Sequence, residues 1–462
     1  MGWLAHHPAW PITALLAGYP VWWALGLGDF IFVLLAIPMA IRIYAWRVHG
    51  SRRIRLPPGF GLWLLFLLMM LAGAAMLSLT APYTVASPVS NRAISFANRA
   101  ADYGAVTVLL LYAGNLTERE LSRRRLAYLL GLVAIYTTLG GIGGMLDPSF
   151  HFKSPAMLLL PPSVQSNSFI QASMQPGLAQ IQNVIGVASG RPKAPFDYTN
   201  TWGNCLSILL PWLIVGWWTY GKRRQRLIGV VMLLIAVVPV VYSLNRGVWI
   251  GLGFSACYVA LRMATKGKLN LLVVTCATLT LIGVLILATP LRSIISQRLA
   301  HGPSNSIRAS LSSIALRDAE ASPVIGYGDT RQARGSPQSI TVGPTASCPL
   351  CGQSGVGSNG QLWLLLVCTG FVGTALYLGF FAYASWRYRH DATPYGLAGM
   401  LVLLLSFIYM FTYVAVVAPL AFTMLAYAVL WRNDRQLQSS DNGTRDPRSE
   451  PRTVTGAPFA GR

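Results

Sequence analysis

Apolar runs long enough to cross about 30 Å of hydrocarbon recur along almost the whole chain, and that leaves little choice of solvent. Candidate spans fall at 10–27, 30–46, 60–80, 102–114, 126–146, 201–220, 227–243, 248–263, 269–289, 361–384, 395–414 and 417–431. No water reaches the bilayer core to satisfy backbone N–H and C=O groups, so such segments must be helical. The expected fold class is all-α, a polytopic membrane protein of about twelve transmembrane helices. Composition agrees: 54% of the 462 residues are hydrophobic and 11% charged, against about a quarter charged in soluble domains. A formal charge of +22 would suggest nucleic acid in a soluble protein. Here it has a simpler origin, because basic residues kept on the cytoplasmic side orient helices and meet anionic lipid. Membrane lipid is an expected partner and nucleic acid is not.

The distribution of charge sets the expected topology. With the N-terminus inside, 23 of the 36 Lys and Arg fall in the short inner segments and the tail. Twelve fall outside, mostly in long loops that the positive-inside rule does not count, and Arg42 lies within a span. Both termini are therefore expected in the cytoplasm, with the chain in the cell (cytoplasmic, inner) membrane. The outer loops 147–200 and 290–360 are long, and structureless loops of such length are uncommon unless they function. Each holds apolar or amphipathic stretches (157–160, 291–299, 307–316) suited to short interfacial helices. Residues 1–432 are expected to form a single transmembrane domain. Residues 433–462, rich in Ser, Asp, Arg, Gly and Pro, are expected as a disordered cytoplasmic tail.

The sharpest chemical feature is Ser243-Leu244-Asn245-Arg246-Gly247-Val248-Trp249, a tight outer turn between two spans. An arginine so near hydrocarbon is costly unless it snorkels to the surface, faces a cavity or pairs with an anion. It reads either as a topology anchor or as a planar donor fork holding phosphate. Cys348-Pro349-Leu350-Cys351 is a CxxC in the second outer loop. A zinc site would need a second ligand pair, and a thioredoxin-like site a βαβ context. A local disulfide is preferred, since the outside compartment permits it, with redox chemistry, metal or free thiols as the alternatives. Walker A, GxSxG and HExxH motifs are absent, and no DxD-like pair marks a metal site.

Several stretches together resemble the O-antigen ligase and Wzy-type polymerase family of bacterial polyprenyl-diphosphate-glycan transferases. Asn245-Arg246-Gly247 is similar to the family's Arg-Gly turn. Arg191 is followed by Phe196, Tyr198 and Asn200, with Pro211 eleven residues beyond Asn200. Arg308 precedes Ala315-Leu316 and then Pro323-Val324-Ile325-Gly326-Tyr327-Gly328, resembling a loop that closes on Pro-x-x-Gly-x-Gly. Ser358-Asn359 precedes Gln361-Leu362-Trp363 and then Gly370-Phe371-Val372-Gly373, where the family has His-Asn and Gly-x-x-Gly. The likeness covers residues 191–373, whereas the first five spans match in hydropathy alone.

That resemblance implies a GT-C-like membrane glycosyltransferase without metal or other cofactor. It would move a glycan from a polyprenyl-diphosphate carrier to a glycan, lipid or protein hydroxyl, acting as surface-polysaccharide ligase or polymerase. Arg191, Asn200, Arg246 and Arg308 would bind the donor, with the arginines on its diphosphate. Arg246, Asp329, Ser358 and Asn359 are the catalytic candidates. The chain departs from the ligases at Ser358, where they carry a His, because a serine hydroxyl is no base near neutral pH. Asp329, Glu320, Asp318, His301, His151 and Asp197 are the substitutes considered. Two rival readings stand beside this one, a transporter or flippase of the same lipid-linked glycans and a catalytically impaired member acting as a binding protein.

Overall fold

The computed structural model describes residues 7–50, 52–165, 168–183, 188–267, 269–270, 272–273, 275–277, 302–334 and 353–444. The first expected span arrives in two pieces, α1 (Trp10–Ala17) and α2 (Tyr19–Ala24). Pro20 has no N–H to continue α1. At Gly18 the chain turns so tightly that a Cβ would lie 2.6 Å from the Ala14 carbonyl, which accepts the Trp22 indole N–H at 2.8 Å. There follow α3 (Phe30–Val48), α4 (Phe60–Ala72) with a closing 3₁₀ turn at Gly73–Met76, α5 (Val89–Asn115) and α6 (Arg123–Leu146).

The two long loops carry more structure than expected. The first holds α7 (Pro155–Leu158), α8 (Pro162–Gln165), α9 (Ser168–Met174) and a hairpin of β2 (Ala179–Asn183) with β3 (Ala188–Pro192). Then come α10 (Thr199–Leu213), continued by a π turn, α11 (Arg223–Tyr242) and α12 (Arg246–Ala264). The second loop contributes α13 (Gly302–Ala321), β4 (Arg331–Arg334) and β5 (Gln353–Val356). β1 (Thr84–Val85), β4 and β5 pair in that order as a three-stranded antiparallel sheet. The all-α expectation thus gains two small sheets. Polar loop backbone packed against helix ends must find partners, and neighbouring extended segments supply them. The chain closes with α14 (Gln361–Tyr388), α15 (Pro394–Tyr409) and α16 (Ala418–Thr444).

Among the described residues, α3, α6, α11, α12 and α14 are long and apolar enough to cross a membrane, and α4 and α15 are shorter apolar helices. In α14 67% of the apolar window is buried, against 22% in α11 and 17% in α12. α14 is central and the other two lie at the perimeter. Their outward side chains are apolar: Leu234 is 68% exposed and Ile250 63%. Such surface would be a liability in water, whereas it fits contact with lipid tails.

Two departures from the sequence reading have local causes. α5 begins thirteen residues before the expected span at 102, because its polar first half is anchored. Arg92 donates to the Leu77 and Leu79 carbonyls at 3.0 Å, and Arg99 pairs with Asp329 at 2.8 Å. α16 runs on to Thr444, so the segment read as the start of a disordered tail is helical, and 445–462 lies outside the described residues. Arg432 bonds Glu118 at 2.7 Å, Asn433 donates to Asp391 at 2.6 Å, and Arg387 pairs with Asp434 at 2.9 Å. Together these hold the helix past its apolar part.

The Pro-x-x-Gly-x-Gly loop and the Gly-x-x-Gly stretch meet. At Gly370 (φ 62°, ψ −168°) α14 breaks, leaving carbonyls before it and N–H groups after it without helical partners. The loop supplies them: Tyr327 N–H donates to the Val367 carbonyl at 2.8 Å, Gly328 N–H to Cys368 at 3.0 Å, and Pro323 accepts the Phe371 N–H at 2.7 Å.

Candidate functional site

The turn between α11 and α12 is built from its own residues. Ser243 ends α11 and its carbonyl, orphaned there, accepts the Arg191 Nε–H at 2.8 Å. Arg191 sits on β3 opposite Gln180 and is 6% exposed, so a cation meets the negative end of a helix. Asn245, buried at 4% exposure, accepts the Tyr413 hydroxyl proton on Oδ1. Arg246 opens α12 at the end where backbone N–H groups favour anions. Gly247 is required because a Cβ there would lie 2.3 Å from the Tyr413 hydroxyl, and Gly203 because a Cβ would lie 2.7 Å from the Asn245 amide nitrogen. Asn245 and Gly247 of the Asn-Arg-Gly motif are thus each fixed by Tyr413.

Tyr413, which sequence reasoning passed over, is the hub. The charges of Arg191 and Arg308 both act on its hydroxyl, and Arg246 acts on Arg308. Burial, and then the neighbouring Arg246 charge, push the half-buried Arg308 guanidinium below its usual value. Asn359 joins from the start of α14, donating to Ser312 Oγ at 2.8 Å and to the Arg308 carbonyl at 3.4 Å. Gln361 locks the arrangement: its N–H donates to the Tyr413 carbonyl at 2.8 Å, and its side chain bonds Tyr103 at 3.1 Å and Ala415 at 2.9 Å. Arg191 and Arg308 thus act on one tyrosine, and Arg246 and Asn359 join them through Arg308, linking four stretches of chain. The Asn245 amide nitrogen and the Asn359 amide oxygen there are buried without hydrogen-bond partners. No local signal in the sequence marks Tyr413, because its role arises only from contacts distant along the chain.

The other expected site residues are placed differently. Asn200 is half-buried in the first turn of α10, beside Thr199, whose hydroxyl donates to the Arg191 carbonyl at 3.3 Å. Ser358 is exposed and its hydroxyl is engaged by the Gly355 carbonyl at 2.6 Å. Asp329 is 3% exposed, paired with Arg99 at 2.8 Å and accepting from Ser95 at 3.0 Å. It belongs to a buried network with Arg331, whose guanidinium also binds the Leu79 and Tyr327 carbonyls at 3.0 and 3.1 Å. Cys348 and Cys351 lie outside the described residues, as does His301. His151 and Glu320 are exposed.

Two carboxyls with altered proton affinity remain. Asp197 hydrogen-bonds Asp29, and burial together with that second carboxyl pushes it well above the usual range, with Lys193 opposing. Asp318 is fully buried with neither oxygen hydrogen-bonded. Burial pushes its carboxyl up to about 7, while Arg331 pulls it down. With a folded value near 7 and an unfolded one near 3.8, the native state binds the extra proton, so stability declines as pH rises through 7. Asp318→Asn removes that dependence. Between pH 4.5 and 8 the wild type is expected to lose about 3 °C of melting temperature that the variant keeps. Parallel losses would refute the assignment. Among the described residues, no three His, Cys, Asp or Glu side chains are placed to hold a metal ion.

No family model, curated protein or solved structure matches this chain.

Below Arg246, α12 lines an apolar cavity of 490 Å³ with α10, α11 and α15, formed by Leu252, Ala256, Val259, Leu210, Ile214 and Leu401 among others. One helix therefore presents a cation at its first residue and an apolar groove along its length.

Proposed function

We propose that the chain is a membrane glycosyltransferase that moves a glycan from a polyprenyl-diphosphate carrier to an acceptor hydroxyl, in the manner of O-antigen ligases and polymerases. The observation that carries this reading is that Arg191 and Arg308 both act on Tyr413, whose hydroxyl bonds Asn245, while the adjoining Arg246 acts on Arg308. Guanidinium groups hold diphosphate through paired donors and stabilise charge that develops as the glycosidic bond breaks. The α12 groove suits the apolar tail of the carrier. In this proposal about twelve helices span the cytoplasmic membrane, both termini lie inside, and the arginine site opens on the extracytoplasmic face. The diphosphate is the leaving group, so the protein's main task is to position the acceptor, a glycan, lipid or protein hydroxyl. Asn359, and Asn200 beside Arg191, are the candidates for contacting sugar.

A rival reading draws on Asp102, 7% exposed within α5, because buried charge in membrane helices often marks a transport path. One assay separates the two. Purified protein in liposomes is given lipid-linked oligosaccharide and candidate acceptors, and both new glycosidic bonds and movement between leaflets are measured. Transfer with release of polyprenyl diphosphate is expected. Leaflet movement with no new bond would establish the transporter instead.

A further inference from the structure

At the opposite end of α5 from Arg92 lies a pocket of 510 Å³ lined by Arg52, Arg53, Arg55, Arg432, Arg435 and Glu118. These residues come from three distant segments: the chain after α3, the α5–α6 turn, and α16. Orienting a helix requires charge in a loop, not a concavity, so this convergence needs another explanation.

The cradle is rigidly built. Asn115 fixes the arginine-rich segment through both Arg55 backbone groups at 2.9 Å. Arg52 donates to the Asn115 carbonyl at 2.8 Å and to Glu120 at 2.7 Å, and stacks 4.5 Å from the Trp46 ring centroid. Arg432, 4% exposed, bonds Glu118 at 2.7 Å and the Leu121 carbonyl. Arg435 bonds the Gly114 carbonyl and stacks 4.7 Å from Trp431. Arg432 Nη1 and Arg435 Nε are nevertheless buried with no hydrogen-bond partner. Burial and the neighbouring Arg55 and Arg432 charges push Arg435 down to about 10. Five guanidiniums against two carboxylates, Glu118 in the lining and Glu120 paired with Arg52, is an electrostatically costly arrangement that a multiply charged anion would relieve. Trp46 lies in the last turn of α3, as indoles do at a membrane interface.

We infer that this pocket binds an anion carrying two phosphate groups. The same chemistry is offered by a two-phosphate lipid headgroup and by a soluble diphosphate, and basic pockets of this kind between membrane helices suit either.

The test uses the full chain in phosphatidylcholine nanodiscs. Thermal stabilisation is titrated with diphosphatidylglycerol, phosphatidylglycerol and inorganic pyrophosphate. Arg53 and Arg55 have exposed side chains, so Arg53→Gln with Arg55→Gln should fold. Arg223→Gln with Arg224→Gln, also exposed, removes equal charge elsewhere. The expected result is stabilisation by a two-phosphate anion beyond that from phosphatidylglycerol at equal charge. That stabilisation should weaken about tenfold or more in the Arg53/Arg55 variant and be kept in the Arg223/Arg224 variant. Response to the lipid alone assigns a headgroup, and response to pyrophosphate as well assigns a soluble source. No response to either diphosphate overturns the inference. Equal loss in both variants does so too, since it would mean diffuse surface charge. Pyrophosphate held at the Arg246 end instead would persist in the Arg53/Arg55 variant, and this also counts against it.

Discussion

Arg246→Lys is expected to abolish glycan transfer almost as fully as Arg246→Ala, each losing roughly 10²–10³-fold in kcat. Both variants should keep their fold, because what surrounds Arg246 is built by its neighbours: Asn245 is held by Tyr413, and Gly247 gives that ring its room. A lysine retains the charge but not the planar fork that meets two phosphate oxygens at once. The prediction separates leaving-group stabilisation from lipid anchoring, since an ammonium snorkels to a headgroup as well as a guanidinium does. Transfer rates should be read beside the melting temperature and the KM for donor. Transfer in Arg246→Lys within about threefold of wild type would return Arg246 to the role of topology anchor. Arg191→Ala is expected to behave differently and to lose stability too, because its Nε–H caps the Ser243 carbonyl at 2.8 Å.

The second large effect is structural. Gly370→Ala should destabilise the protein by about 3–5 kcal/mol, from a backbone conformation closed to residues with a Cβ and from overpacking. The added carbon would lie 2.6 Å from the Pro323 carbonyl oxygen, the same oxygen that accepts the Phe371 N–H. Relief would require the Pro323–Gly328 loop to withdraw, freeing the carbonyls of Val367 and Cys368. A fall of about 3–5 °C in melting temperature is expected. Gly379→Ala in the same helix is the control. There a Cβ meets only Leu62, at 3.7 Å, and alanine is the better helix former. If the two variants melt together, the loop does not brace the break.

How much of this was legible beforehand differs from element to element. The spans behind α3, α6, α11, α12 and α14 can be read from length and hydropathy, because in a bilayer those two properties suffice to demand a helix. The polar half of α5 and the extension of α16 cannot. Each is held by side-chain pairs with residues far along the chain, Arg99 with Asp329 and Asn433 with Asp391. The motifs at Pro323–Gly328 and Gly370–Gly373 are visible in the sequence as separate patterns. That one mends the backbone of the other is visible only in space.

The candidate site divides in the same way. The sequence by itself named Arg246, since a guanidinium beside apolar spans is costly enough to need a reason, while Arg191, Arg308 and Asn359 entered only through the family resemblance. It also determined the apolar, lipid-facing character of the chain. Only the tertiary structure brought Arg191 and Arg308 to bear on Tyr413 and set Asp329 apart in its pair with Arg99. It alone joined Asp197 to Asp29, and gathered five scattered arginines into one pocket at the far end. The physical reason is range. Hydrophobicity and helix formation act within a segment, so they can be read along the chain. Proton affinity, ion pairing and anion binding depend on which segments are brought within a few ångströms, and packing decides that.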